Sequence, residues 1–384
     1  MRVPKLLLSA VAVSLIAAAP AGAHHGVSVK TIAKKLDNPR HIAVARNGDV
    51  YVAEAGKGGD PAKSKSCFDS AEGFACTGAT GAITRVFEKH HRWQQDRVVR
   101  GLASFAPADG ASAIGPHGVF VRGRDVFFTN GGPTEPTRGG QTVFRDPTLV
   151  SEEPISRLYG TLLKLSKRGR VRFVADLWRF ERDNNPDADV ANTHIDSNPV
   201  DVYATRHGLL VADAGGNTVL RVGRHGRISV VAVFPNTPPE PTGMQAVPTG
   251  AVVGPDGFYY VSQLTGFPFP VGGANIFRVN PRTGAYTTYA SGFTNAMDLA
   301  FGRDGTLYVL EIDHDSLFPP VGPSKEGALL RVRRGGGTPQ RIELPAGTLT
   351  EPGGLAVAGR KTLVVSNHGR EAGNGEVLEV TLDR

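Results

Sequence analysis

The sequence predicts an all-β protein, a six-bladed β-propeller closed by its N-terminal strand, and three observations predict it. A phrase of three short strands recurs six times along the chain. The composition is that of a folded, turn-rich protein: 40% of the 384 residues are apolar, and 48 Gly with 27 Pro make about a fifth of the chain, below the level of low-complexity disorder. The sixth copy lacks the fourth strand that several others carry, while the N-terminus holds a strand-like segment with no blade of its own. No heptad pattern is sustained, and two cysteines build neither a disulfide scaffold nor an all-cysteine zinc site.

The first element in chain order is a targeting segment. Arg2 and Lys5 precede the apolar run Leu6 to Ala19 and the small-residue stretch Ala21-Gly22-Ala23, the pattern of a secretory signal peptide over residues 1–23. That run is shorter than the ~20 apolar residues needed to cross a bilayer, and no later segment qualifies. The expectation is a secreted, extracellular chain starting near His24, with one propeller domain over 24–384 and no membrane span. Loss of Arg2 and Lys5 lowers the formal net charge from +7 to about +5. Basic residues such as Arg85, Arg221 and Arg331 are scattered through strand patterns rather than gathered in a stripe, which argues against nucleic acid as a partner.

Each copy then runs through an opening Pro, replaced by Ala296 in the fifth, an inner apolar strand, a tight turn, a second apolar strand with a polar end, and a third strand of apolar and basic residues. Pro39-Arg40-His41-Ile42-Ala43-Val44, Val50 to Glu54 and Gly81 to Val86 make the first copy. Pro116 to Phe120, Val126 to Asn130 and Gly160 to Leu165 make the second; the third opens at Pro199, the fourth at Pro248, the fifth at Ala296 and the sixth at Pro352. Outer strands follow several copies, as in Ile228 to Val233 and Tyr286 to Ala290. Val27 to Ala33 is the expected outer strand of the sixth blade, which removes the edge that an open array leaves.

The phrases Leu36-Asp37-Asn38-Pro39-Arg40, Asp213-Ala214-Gly215-Gly216-Asn217-Thr218, Leu264-Thr265-Gly266-Phe267-Pro268-Phe269-Pro270-Val271-Gly272 and Ala290-Ser291-Gly292-Phe293-Thr294-Asn295 resemble those of the ScyD/ScyE family of secreted bacterial propellers. More distantly the repeats resemble NHL-type and gluconolactonase-like propellers. The resemblance spans nearly the whole mature chain and implies a fold and an export route more firmly than a reaction.

Loops entering the inner strand and leaving the second strand share one face of a propeller. Ala55 to Thr80, Gly131 to Tyr159, Glu181 to Asn198 and Pro235 to Val247 all fall there, which makes the long-loop face the expected binding surface for a small molecule, a cell-wall polymer or a protein. On that face the loop with Phe267 and Phe269 is the expected aromatic contact. The six second strands end in Glu54, Asn130, Asp213, Gln263, Glu311 and Asn367, an oxygen-bearing set suited to one divalent cation, calcium rather than zinc. The starts of the inner strands add His41, His117, Asp201 and Asp298 as ligand contacts near the channel. Gluconolactonase-like propellers use a comparable acid and amide set around one metal, but no local motif assigns ligands here. Cys67 and Cys76, in one loop of an exported chain, are expected to form a disulfide. No Gly-x-Ser-x-Gly elbow or phosphate-binding loop is present. Two functions stay open: ligand binding through the long-loop face, and a metal-dependent hydrolase or lyase of lactone or ester type at the channel mouth.

Overall fold

The computed structural model describes residues 26–70, 73–132, 137–138, 141–142, 153–188, 195–236, 244–319, 322 and 324–382. The proposed signal segment, with Arg2, Lys5 and the Ala21-Gly22-Ala23 site, lies outside them.

Six small antiparallel sheets form a six-bladed β-propeller. After β1 (Val27–Leu36), blade 1 comprises β2 (Pro39–Val44), β3 (Val50–Glu54), β4 (Cys67–Ser70), β5 (Gly73–Lys89) and β6 (Arg92–Pro107). Blade 2 has β7 (Pro116–Arg122) and β8 (Asp125–Asn130), then the hairpin β9 (Thr137–Arg138) and β10 (Gln141–Thr142), then β11 (Thr161–Leu165) and β12 (Val171–Asp176). Helix α1 (Leu177–Asn184) comes next. Blade 3 is β13 (Pro199–Thr205), β14 (Gly208–Asp213), β15 (Thr218–Val222) and β16 (Ile228–Val233). Blade 4 is β17 (Pro248–Val253), β18 (Tyr259–Gln263), β19 (Ala274–Val279) and β20 (Tyr286–Phe293). Blade 5 is β21 (Ala296–Phe301), β22 (Leu307–Glu311), β23 (Ala328–Val332) and β24 (Gln340–Arg341). Blade 6 contributes β25 (Gly354–Val357), β26 (Thr362–Asn367) and β27 (Gly375–Leu382), and β1 pairs with β27 from Val27 opposite Leu382 to Leu36 opposite Gly375.

Two loop readings change. Part of the expected loop 55–80 is strand: β4 pairs with the start of β5, and the Cys67–Cys76 disulfide joins residues directly opposite in that hairpin. The expected loop at Glu181 begins inside α1, whose N-cap Asp176 accepts from the Arg179 N–H.

The middle strands are buried on both faces, as β14 and β18 show, because each blade is covered by a neighbour on either side. Side chains reach solvent mainly in the outer strands, as in β16, where Ser229 and Val230 are exposed and Val231 and Ala232 buried. The core is correspondingly divided. One apolar cluster fills each seam between blades: Ile83 with Phe128 (1 and 2), Leu162 with Leu220 (2 and 3), Leu210 with Phe277 (3 and 4), Ile276 with Val309 (4 and 5), Leu310 with Leu378 (5 and 6), and Val377 with Val52 (6 and 1). Leu36, fully buried, brings β1 into the last of these. Replacing Leu36 by Ala therefore opens a cavity at the seam where the two ends of the chain meet, and is expected to lower the unfolding free energy by about 2 to 5 kcal/mol in urea titrations. A loss below ~1 kcal/mol would show that β1 adds little to the ring.

Candidate functional site in the central channel

The inner strands β2, β7, β13, β17, β21 and β25 line the axis, and their third positions alternate. Counted from the opening Pro or Ala, that position is His41, Gly118, Asp201, Gly250, Asp298 and Gly354. In the first five blades the pairing of inner with second strand slips at this point, between Pro39 and Ile42, Pro116 and Val119, Pro199 and Asp201, Pro248 and Gly250, and Ala296 and Asp298. Such irregularities re-aim a side chain out of the regular pleat. Each glycine leaves room for the neighbouring blade. A Cβ on Gly118 would lie 2.6 Å from Asp201 Cα, one on Gly250 3.2 Å from Asp298 Oδ1, and one on Gly354 2.5 Å from His41 Cα.

Three side chains from alternate blades therefore converge. One ligand atom from each of His41, Asp201 and Asp298 lies within 4.8 Å of the others, and all three residues are buried. Each carboxylate is held by two backbone N–H groups, one from its own strand and one from the next blade. Asp201 accepts from Val202 at 2.7 Å and Ala251 at 2.9 Å; Asp298 accepts from Leu299 and Leu355, both at 2.7 Å. His117 Nδ1 lies 3.0 Å from Val200 O and 3.2 Å from His41 Nδ1. With the hydrogen assigned to His117 Nδ1, neutral His41 accepts at Nδ1 and carries its own hydrogen on Nε2, which stands 3.7 Å from Asp298 Oδ1 and faces the backbone of Thr249 and Met297.

Burial governs the charges here. It lowers His41 to about 3 and His117 well below the usual imidazole range, with the Arg40 guanidinium adding to both, so both rings are neutral at pH 7. It raises Asp201 to about 6, and raises Asp298 well above the usual carboxylate range with help from the charge of Asp201. Two carboxylates, each oxygen with a lone pair beyond the one spent on an N–H, and an imidazole whose Nε2 becomes a donor atom once its hydrogen is displaced fit a divalent cation, the imidazole favouring a transition metal over calcium.

A cavity of about 240 Å³ adjoins the group. It is lined by the downstream halves of the inner strands, including Val44, Val121, Tyr203, Val253, Phe301 and Val357, so it lies toward the short turns rather than toward the long-loop face. On the long-loop side stands Arg40, buried and bonded to Ala113 O at 2.6 Å.

Five of the six second-strand ends are engaged in their own blade, and Asn130 of blade 2 reaches back to β6 of blade 1. Glu54 binds Arg97, Thr84 and the Asp37 N–H; Asp213 binds Ser197 and the Asn198 N–H; Glu311 binds the Thr294 N–H and His314. Asn130 donates to Ala103 O, Gln263 accepts from Asn275, and Asn367 accepts from the Thr350 N–H and donates to Thr348 O. Apart from Asn130, their common work is to tie the loop before an inner strand, or the start of a third strand, to the second strand. Among the described residues, the His, Cys, Asp and Glu side chains at ligand distance are those of the inner strands. Phe267 and Phe269 lie elsewhere, on the long-loop face, with ring centroids 6.4 Å apart.

No protein-family model matches the chain, and no curated protein does. Solved structures do. A gluconolactonase from Xanthomonas campestris is 12% identical with a TM-score of 0.52, covering 93% of this chain and 89% of that one. The PQQ domain of pyranose dehydrogenase from Coprinopsis cinerea is 11% identical with a TM-score of 0.52, covering 93% and 96%. A Bacteroides thetaiotaomicron protein of unknown function is 10% identical with a TM-score of 0.54, covering 93% and 76%. At these identities the likeness is one of fold: the chain's structural neighbours include gluconolactonase-like β-propellers.

The alternation of side chain and glycine along the inner strands is the mark that this site leaves in the sequence. It makes a sharp expectation. Gly354→Ala drives a Cβ into the backbone of blade 1 and is expected to cost about 3 kcal/mol or more, or to prevent folding. Gly359→Ala, with no neighbour nearer than 3.4 Å, is expected to change stability by less than ~1 kcal/mol. Equal effects in thermal melts would refute the close approach.

Proposed function

We propose that the chain is an exported binding propeller of the ScyD/ScyE type, which holds an extracellular ligand through its long-loop face. The observation that carries this reading is an aromatic cluster. Phe267 is 65% exposed and Phe318 64%, their ring centroids are 5.2 Å apart, and Phe269 and the exposed Val271 flank them. Apolar rings left in water on adjacent loops are the usual mark of a contact surface, and their faces suit sugar rings or an apolar protein patch.

The cluster is built on a rigid support. Buried Asn295, just before β21, donates to Leu264 O at 3.1 Å and accepts from the Leu317 N–H at 3.0 Å, so one side chain pins the loops that carry Phe267 and Phe318. The Gly266 N–H donates to Gln245 O at 2.8 Å, and the Gly272 N–H to Thr294 Oγ1 at 3.0 Å. Rings held in place in the free protein lose little freedom on binding. Co-sedimentation with insoluble cell-wall polysaccharide, and capture of surface proteins from the same cells, test this reading. The double variant Phe267→Ala/Phe318→Ala is expected to bind at least about tenfold more weakly with an unchanged melting temperature. Undiminished binding by the variant, or none by the natural protein, would end it.

A second reading, favoured by the convergence of buried His41, Asp201 and Asp298 to within 4.8 Å of one another, is a metal-dependent hydrolase or lyase acting on a lactone or ester in the channel. His41, Asp201 and Asp298 would hold the cation, which supplies polarisation of a carbonyl or of water. The chain's own part is to keep the imidazole neutral, to fix both carboxylates by backbone N–H groups, and to offer beside them a cavity lined by both apolar side chains and polar atoms for the substrate. Metal analysis of unchelated protein and lactone hydrolysis with added zinc or calcium test it. His41→Ala is expected to abolish both metal retention and turnover; activity that survives that change would exclude the channel as the site.

A further inference from the structure

Blades 1, 3 and 5 each end their second strand in a buried carboxylate, and two of the three face a basic side chain. Glu54 is paired with Arg97 at 2.5 Å, and Glu311 with His314 at 2.5 Å. Asp213 in blade 3 is as deeply buried and, among the described residues, has no Lys, Arg or His in an ion pair. Around it stand three more buried acids, Glu181 on α1, Asp187 and Asp196.

These groups are only partly satisfied. Asn217 Nδ2 donates to Asp187 Oδ2 at 2.9 Å. The Asn185 amide, turned to donate, reaches Asp187 Oδ1 at 3.0 Å and Glu181 Oε1 at 3.2 Å. Glu181 Oε2 and Asp196 Oδ1 have no hydrogen-bond partner, although Glu181 is 1% exposed and Asp196 8%. Independently of the acids, the hydroxyl of fully buried Thr218 also has no partner. It points into the same space: the Cβ direction of Gly216 ends 2.8 Å from Glu181 Oε2 and 3.6 Å from Thr218 Oγ1. Leaving a buried polar atom unpaired costs on the order of 1 to 3 kcal/mol, and an uncompensated buried charge more.

We propose that a calcium-type divalent cation occupies the place in blade 3 that Arg97 and His314 take in blades 1 and 5, bound at Glu181 Oε2 and Thr218 Oγ1 beside Gly216. Asp213, Asp196 and Asp187 surround it. No three of the carboxylates share one ligation sphere as the side chains stand, so water completes the shell, as is usual for a hard cation of six to eight ligands. All donors are oxygen, unlike the imidazole-containing group of the channel, and the two sites differ in the metal they favour. Burial and mutual repulsion act in the same direction on the acids, raising Glu181 to about 9, Asp196 to about 8 and Asp187 to about 6 when no cation is bound. The ion would fasten α1, and the chain through Asp196, to the end of β14.

The test uses the whole mature protein and terbium, a calcium substitute whose emission is excited through tryptophan; Trp178 lies one turn from Glu181 on α1. Terbium emission displaced by calcium is expected, with a melting temperature at least about 3 °C higher in millimolar calcium than in chelator. Glu181→Gln should abolish both responses and, by removing an uncompensated buried acid, raise the melting temperature in chelator. A purely structural carboxylate would lower it instead. Thr218→Val, close in shape, should weaken calcium binding at least about tenfold, and decides the question if Glu181→Gln does not fold. His41→Ala/Asp298→Asn should leave the calcium response intact, separating this ion from any in the channel. The proposal is overturned if the natural protein shows neither terbium emission nor a calcium-dependent melting temperature, or if Glu181→Gln keeps both.

Discussion

Six inner strands run side by side around the axis without pairing to one another, and the fold depends on how their free edges are joined. Each seam carries at least one buried hydrogen bond near the channel. His41 meets His117 between blades 1 and 2, and His117 meets Val200 O between 2 and 3. Asp201 accepts from Ala251, Thr249 Oγ1 donates to Ala296 O at 2.7 Å, Asp298 accepts from Leu355, and Ser366 Oγ donates to Arg40 O at 2.6 Å. Together these links pass once around the ring. Backbone groups that no ladder can reach are satisfied by side chains, which is what a dry interior requires.

The links also explain a two-blade period. Odd blades carry an imidazole or carboxylate at the third inner position and an acid at the end of the second strand: His41 with Glu54, Asp201 with Asp213, Asp298 with Glu311. Even blades carry glycine at the first of these places and an amide at the second, preceded by a hydroxyl: Gly118 with Thr129 and Asn130, Gly250 with Ser262 and Gln263, Gly354 with Ser366 and Asn367. A side chain that crosses a seam needs a neighbour with none, so alternation is the arrangement that lets six strands crowd one axis. The groups that could bind a metal in the channel are thus the same groups that hold the ring together. Any chemistry at His41, Asp201 and Asp298 has to share its ligands with the fold.

The long-loop face is less constrained. Its loops are tied down by the strand-end acids and amides and by Asn295, and beyond those anchors they carry exposed rings and the helix α1. Rigid anchoring of variable loops is the common way a repeat scaffold acquires a binding surface without disturbing its core.

Strand order and blade number were legible in the sequence because each blade repeats one local phrase, and a period of strands is written in consecutive residues. The polar character of the six second-strand ends was equally plain. Their destinations were not: Glu54 takes Arg97 from a strand more than forty residues away, Glu311 takes His314 from the next loop, and Asp213 gathers Glu181, Asp187 and Asp196. Nor could spacing say that the donor group of the channel would be His41, Asp201 and Asp298, since the irregular pairing that turns them inward depends on the neighbouring blade's backbone at Gly354, Gly118 and Gly250. Local sequence determines which strand a residue ends and whether it is polar. Which charges meet is decided by the packing of each blade with its loops at the strand ends and by the closure of the ring in the channel, because only the closed ring brings blades distant in sequence to within a hydrogen bond of one another.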